Sequence, residues 1–366
     1  MNYTLIATST FGLEKVVANE LKELGYDDLK IENGKVTFEG DEMDIVTCNM
    51  WLRTADRVLI QMAEFKAETF EELFQGTLAV NWGDIIPITG FMHIVGKSVK
   101  SKLFSVPDCQ SIVKKAVVEA MKRKYRRDLF SEDGAEYKIE VGILKDIVTL
   151  TLDTTGPGLH KRGYREMAGV APMKETLAAA LVLLSKWEPS RLLADPFCGS
   201  GTIAIEAAMI AKNIAPGLNR SFVCEQWDII SQDLWEDIAD YDLITAGAML
   251  SSGRYLYVVF ICQQAVEKLV KGLFVLYKGV EPPRVHNIWN IFERIFNINE
   301  FDLDNKLVAE KYFDFFDELL AYYISERYPS YKEKLSQSIT REKAAEVLNK
   351  TKEVFSWLKS LKTLEM

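Results

Sequence analysis

RLLADPFCGSGTIAIEAAMIAKN, residues 191–213, decides how this chain is read. An apolar run closes on Asp195, a tight turn carries Pro196, Gly199 and Gly201, and an alanine-rich stretch follows from Thr202. Glycines there let the backbone pass close to a ligand, and the unpaired N–H groups of the next helix start attract an anion. The spacing predicts a strand over 191–195, a glycine-rich loop and a helix, a unit of the α/β kind. The full G-x-G-x-x-G is missing, so no dinucleotide site is implied. Just upstream, ETLAAALVLLSKW (175–187) predicts another helix.

Toward the N-terminus the pattern changes. YTLIAT (3–8), KVTFEG (35–40) and DRVLIQMAEF (56–65) read as strands, and LEKVVANELKELG (13–25) as an amphipathic helix, so residues 1–153 are α+β. That stretch has a net charge of -6, yet residues 97–127 hold ten basic side chains and two acidic ones. A helix starting near Pro107-Asp108 would carry much of this charge, forming one cationic face with its leading loop. Beyond about residue 238 period-2 alternation disappears. Residues 243–279, 286–296, 306–328 and 340–361 read as helices, an all-α bundle with charges nearly balanced.

The 366 residues suffice for two or three domains, and 48% hydrophobic content suffices for ordinary cores. A net charge of -9 excludes a uniformly basic nucleic-acid binder. Five scattered cysteines without a C-x-x-C pair argue against a disulfide framework or thiolate zinc site, and three isolated histidines suggest no metal centre. The start shows no signal-peptide pattern and no run reaches about 18 uncharged apolar residues, so a cytoplasmic protein without membrane contact is expected.

HKRGYRE (160–166), AP-x-KETLAAAL (171–181), LADPFCGSGTIAIEAAMIA (193–211) and APGLNRSF (215–222), with Trp227 and Trp235 beyond, resemble the THUMP-domain class I S-adenosylmethionine-dependent RNA methyltransferases. That family includes the large-subunit (23S) ribosomal RNA guanine-N2 enzymes. The resemblance covers residues 1 to about 237. It implies a ferredoxin-like unit at 1–55, a THUMP RNA-binding domain at 56–154 and part of a Rossmann-type methyltransferase domain at 155–237. By position it assigns Asp195, Pro196, Cys198, Gly199, Ser200, Gly201 and Thr202 to the S-adenosylmethionine pocket, with Glu175 and Thr176 nearby. It also gives the basic window a role in phosphate contact with structured RNA, ribosomal RNA first. The candidates are Lys97, Lys100, Lys102, Lys114, Lys115, Lys122, Arg123, Lys124, Arg126 and Arg127.

The rest of the family pattern does not follow. No Asn/Asp-Pro-Pro-aromatic motif appears. Pro282-Pro283 is preceded by Glu281 and followed by Arg284, and Tyr241-Asp242 stands where a ribose-binding acid would be but leads into a helical stretch. Residues 239–366, through GRY (253–255), CQQAVEKL (262–269) and PPRVHN (282–287), instead resemble a HEPN domain at 238–366, a bundle of toxin–antitoxin and nucleotidyltransferase-partner systems. The Arg-then-His spacing of HEPN ribonucleases is absent, since Arg284 lies two positions before His286. Arg254, Gln263, Glu267, Lys268, Arg284 and His286 are the candidates for a nucleotide- or partner-binding groove. The expectation is an RNA-binding relative of the methyltransferases, fused to HEPN, with an incomplete catalytic domain inactive alone and no catalytic residue assigned. The alternative is a HEPN module that binds a nucleotide, a nucleotidyltransferase partner or a second copy, delivered to RNA by THUMP.

Overall fold

The computed structural model describes residues 2–164, 173–217, 220–227, 229–230, 240, 243, 246–247, 249–251, 253, 255–278, 283, 285–296, 303–327 and 339–361. The chain divides into two compact units, Met1–Ile230 and Ser231–Met366.

The first unit is built on one seven-stranded sheet in the order β2-β3-β1-β4-β7-β6-β5. Its first half holds β1 (Tyr3–Ser9), α1 (Glu14–Glu23), β2 (Lys30–Glu32), β3 (Lys35–Gly40) and α2 (Glu42–Trp51). Its second half holds β4 (Ala55–Lys66), α3 (Phe70–Leu78), β5 (Phe91–Val99), α4 (Val106–Tyr125), β6 (Glu136–Leu144) and β7 (Ile147–Asp153). The 12-residue β4 ties the halves together. Its start pairs antiparallel with β1, Ile60 opposite Leu5, and its end pairs with β7, Lys66 opposite Ile147. The α+β class expected for this region is the class that forms.

Local chemistry sets the helix starts. Asp41 accepts the N–H groups of Met43 and Asp44 while the Asp44 carboxylate takes the N–H of Asp41, and Thr69 with Glu72 repeats this reciprocal cap on α3. α4 begins with Pro107 in its first turn and ends with Lys122, Arg123 and Lys124 in its last, where cations complement the helix dipole. Joining the parallel pair β5 and β6, α4 also lies beside the open edge of the sheet. There Lys114 donates to the carbonyl of Met92 at 2.7 Å and Gln110 to that of Ile94 at 3.3 Å. An edge strand with unpaired carbonyls invites pairing with other chains, and these two side chains occupy it.

The strand expected over 191–195 does not form. These residues have no regular structure, and no strand follows Asp153 among the described residues. The physical reason is the one that makes parallel strands interior elements: their N–H and C=O groups need partners on both sides. The flanking helices do form as expected, α5 (Glu175–Leu184) and α6 (Thr202–Ala211), packed on one another.

The second unit is helical, with α7 (Tyr255–Lys278), α8 (Ile288–Ile295), α9 (Leu303–Arg327) and α10 (Arg341–Ser360). α7 packs against the other three. Phe292, Phe296, Phe315, Phe316 and Leu358 fill the centre, all buried, and Trp357 lies 5.5 Å from the Phe292 ring. Among the described residues no helix is long and apolar enough to cross a membrane.

Candidate functional site

The glycine loop adopts the conformation its sequence requires. Gly199 and Gly201 have φ of 52° and 77°, a region that only glycine enters without strain. The Asp195 carboxylate accepts the N–H of Phe197 at 3.1 Å, and Gly201 closes the turn onto the Cys198 carbonyl at 2.7 Å. Gly201 then caps α6, with no side chain accepting from the first turn. These features make one wall of an anion site. Among the described residues the loop stands open to solvent. Cys198, Gly199 and Ser200 are exposed, and a Cβ built on Gly201 would meet nothing within 4 Å. Glu175 and Thr176 are buried at the start of α5, where the Thr176 hydroxyl points to the Asp56 carboxylate at 3.4 Å. The described candidates therefore do not by themselves enclose a ligand.

What holds this segment to the sheet unit is a buried ionic cluster that the sequence reading missed. Glu206 of α6 is fully buried, and its carboxylate accepts the Tyr164 hydroxyl at 2.9 Å and faces the Arg162 guanidinium at 3.5 Å. Arg162 also donates to the carbonyls of Leu159, at 2.8 Å, and Arg53. Arg53 in turn reaches the Ile214 carbonyl at 2.8 Å. Burial raises the Glu206 carboxyl above its ordinary value, and Arg162 and Tyr164 only partly offset it. The signal was in the sequence: an acid in the otherwise apolar helix TIAIEAAMIA has to be either solvated or paired.

The ten basic candidates do not form one face. Lys97, Lys100 and Lys102 lie before α4, whereas Lys122, Arg123, Lys124, Arg126 and Arg127 lie at its far end, and a 20-residue helix spans about 30 Å. Several are engaged: Lys97 with Glu140, Lys102 with Glu68, Lys114 with Glu132, Lys122 with Glu119, and Lys124 with Asp84. Lys115 stands 5.7 Å from the centre of the Phe74 ring. Arg123, Arg126 and Arg127 are exposed together where α4 ends, with Arg126 in the left-handed region as its cap. This end of α4 presents the densest free cationic surface of the window.

In the helical unit, Gln263, Glu267 and His286 come together. The buried Glu267 carboxylate accepts from Gln263 at 2.6 Å and Lys271 at 2.7 Å, and His286 Nδ1 lies 3.0 Å away. Lys268 lies one position beyond Glu267 on α7 and is half-buried. Arg254 and Arg284 lie outside the described residues, as do Tyr241-Asp242, Glu281 and Pro282. Burial tends to raise the Glu267 carboxyl, but His286 and Lys271 outweigh it and hold it below its ordinary value of 4.5. A depressed carboxyl stabilises the fold above its unfolded value and loses that contribution as the pH falls through the folded one. The helical unit is thus expected to weaken on acidification below about pH 4.5. Glu267→Gln should flatten that acid limb, as read from urea transitions by circular dichroism across pH 3 to 7.

Sheet, glycine turn and helical bundle together make a composite: an α+β unit carrying the glycine-loop segment, followed along the chain by a separate α-helical unit. Comparison with known families gives four matches. The RlmL ferredoxin-like domain matches residues 4–59, the THUMP domain 67–153, the RMKL-like methyltransferase domain 162–272 and the HEPN domain 232–361. The last two overlap over 232–272, and α7 covers 255–272 of that stretch.

Among curated proteins, the candidate RNA methyltransferase YpsC of Bacillus subtilis (strain 168) is 58% identical over 249 residues, which are 66% of this chain and 64% of that protein. A Listeria monocytogenes protein solved as a predicted N6-adenine-specific DNA methylase is 57% identical with a TM-score of 0.63, covering 65% of this chain and 62% of its own. SMU.472, a candidate methyltransferase solved with SAH, is 48% identical with a TM-score of 0.61, covering 64% and 62%. The chain thus spans under two thirds of the length of these relatives. Its similarity is to nucleic-acid methyltransferases, for which S-adenosylmethionine binding is a family-level property.

Proposed function

We propose that this chain is an RNA-binding protein related to the 23S ribosomal RNA guanine-N2 methyltransferases, working in the cytoplasm, whose methyltransferase segment neither holds the donor nor transfers a methyl group by itself. The partition 1–55, 56–154, 155–237 and 238–366 is part of the proposal. The observation that carries it is the open glycine loop behind residues 191–195, which pair with no strand among the described residues. Methyl transfer needs donor and acceptor held in line, and one wall of a pocket cannot do that. Purified chain incubated with labelled methyl donor and ribosomal RNA is expected to transfer nothing; robust labelling refutes the proposal.

RNA affinity is assigned to the end of α4. Replacing Arg123, Arg126 and Arg127 by alanine together should weaken binding to structured RNA similarly for all sequences and lower the salt slope by roughly 2 to 3. Lys114→Ala should leave RNA binding unchanged, since that side chain is engaged with the Met92 carbonyl and Glu132. Electrophoretic mobility shifts between 50 and about 200 mM salt read both.

One observation favours a second role for the helical unit: Lys271 and His286 are gathered on the single buried carboxylate of Glu267. Such a fixed polar cluster suits a nucleotide or a partner surface, including a nucleotidyltransferase. Substituting His286 and Lys271 together should then abolish nucleotide or partner binding while RNA affinity stays constant.

A further inference from the structure

Two rows of side chains cross four strands at one end of the sheet. Register sets Glu64, Thr149, Gly142 and Lys97 side by side on β4, β7, β6 and β5, and Lys66, Ile147, Leu144 and Val99 in the next row. Neighbours in register, and residues two apart on a strand, share a face, so all eight lie on one side of the sheet. The opposite side is core there, with Val141, Ile143 and Val148 at most 2% exposed. On this side Ile147, Leu144 and Val99 are 40%, 56% and 50% exposed, three aliphatic side chains in adjoining register where an outward face is ordinarily polar. Gly142 sits in mid-strand beside them, and a Cβ built on it would meet nothing nearer than 3.5 Å among the described residues. No crowding within the chain asks for that glycine, and a glycine inside a strand often marks a place where another backbone comes close.

The two ends of these rows carry opposite charge. β4 contributes the exposed Glu64, while Lys66 on the same strand is held by Glu68 at 2.6 Å. β5 contributes the exposed Lys97, with the exposed Lys100 just past its end. Within the chain Glu64 meets the Thr149 hydroxyl at 3.4 Å and Lys35 at 3.9 Å, and Lys97 meets Glu140. Such exposed pairs are worth little and exchange partners at small cost. Three strand spacings of about 4.8 Å put Glu64 and Lys97 about 14 Å apart, with the aliphatic row running between the same two strands.

We propose that this end of the sheet is a docking face for a second copy of the chain. A surface with an acid at one end, a base at the other and an apolar middle is complementary to itself after a half turn. A two-fold axis running along the strands between β7 and β6 sets Glu64 of each copy against the partner's Lys97 and stacks the aliphatic rows on one another. Gly142 lets the two sheets approach at the centre. A polyanion or an anionic lipid surface fits less well, since Glu64 repels at one end what Lys97 attracts at the other. The patch is small, so the dimer is of the weak, concentration-dependent kind.

Sedimentation velocity of the full chain, from about 1 to about 200 μM, is expected to show a monomer–dimer equilibrium. Glu64→Lys alone, and Lys97→Glu alone, place like charges at both ends of the interface and should each weaken association roughly tenfold or more. Both changes in one chain restore opposite charges and should bring association back, and mixing the two single variants should give a heterodimer. Leu144→Asp should abolish the dimer by charging the middle of the apolar row. All three positions are exposed, so the variants should fold, and unchanged circular dichroism spectra and urea midpoints check that. A chain that stays monomeric over the whole range overturns the proposal. So does a dimer indifferent to both single charge changes and to Leu144→Asp, which would place self-association elsewhere, or a double charge variant no better than the singles.

Discussion

Arg162→Ala is expected to destabilise the N-terminal unit by about 3–5 kcal/mol, because it leaves Glu206 buried without its cation. The side chain lost makes three contacts: the Glu206 carboxylate, the Leu159 carbonyl and the Arg53 carbonyl. Glu206 can escape part of the penalty by keeping a proton. Burial already raises its carboxyl, so the folded state binds that proton more tightly than the unfolded chain. The sign follows: this group's contribution is fully present below the unfolded value near 4.5 and is lost as the pH rises through the higher folded one. Removing Arg162 should steepen that loss toward neutral pH. Combining Arg162→Ala with Glu206→Ala should cost less than the sum of the two singles, by roughly 1–3 kcal/mol. Urea unfolding followed by tryptophan fluorescence at pH 5 and 8 measures all of this. Additive singles would mean that the pair is not coupled.

Most of the fold was legible because its elements are local. Alternation in YTLIAT and KVTFEG, and three-and-four spacing in VVANEL, report burial on one side, and these segments became β1, β3 and α1. The helix of the basic window begins at Val106, with Pro107 in its first turn as its sequence asks. RLLAD went the other way. Its pattern is that of a strand, but a strand is a property of its neighbours as much as of itself, and period alone does not say whether a sheet exists to receive it.

The candidate sites show the same division. Gly199 and Gly201 were readable because positive φ leaves a compositional mark. The ionic cluster was not, since Arg53, Arg162 and Glu206 are far apart in sequence and meet only through tertiary packing. Charge counting also overstated the basic window. Half of its cations sit against carboxylates from Glu68, Asp84, Glu119, Glu132 and Glu140, four of which lie outside the window. Lys114 in particular serves the sheet edge, a role that no count of charges contains.

Trp227→Ala is expected to cost about 3–5 kcal/mol, the usual penalty for removing a large ring from a packed interior. Trp227 is 1% exposed, its ring stacked on that of Tyr137 with centroids 4.8 Å apart, and its indole N–H donates to the Glu136 carbonyl at 3.0 Å. Both partners belong to β6 of the sheet. The backbone beside it is tied down as well, Cys224 donating to the Thr154 carbonyl at 3.1 Å. The stretch ending at Trp227 is thereby fastened to the seven-stranded sheet, just as Arg162 and Arg53 fasten α6. Trp227→Phe keeps the stacked ring and loses one hydrogen bond, so it should cost only about 1 kcal/mol. In the alanine variant, limited proteolysis should cut between residues 212 and 230 well before the sheet. RNA affinity should persist, because Arg123, Arg126 and Arg127 lie at and just past the end of α4, whereas Trp227 is anchored on β6. If the alanine variant lost RNA binding together with stability, the segment would be part of the RNA-binding fold itself.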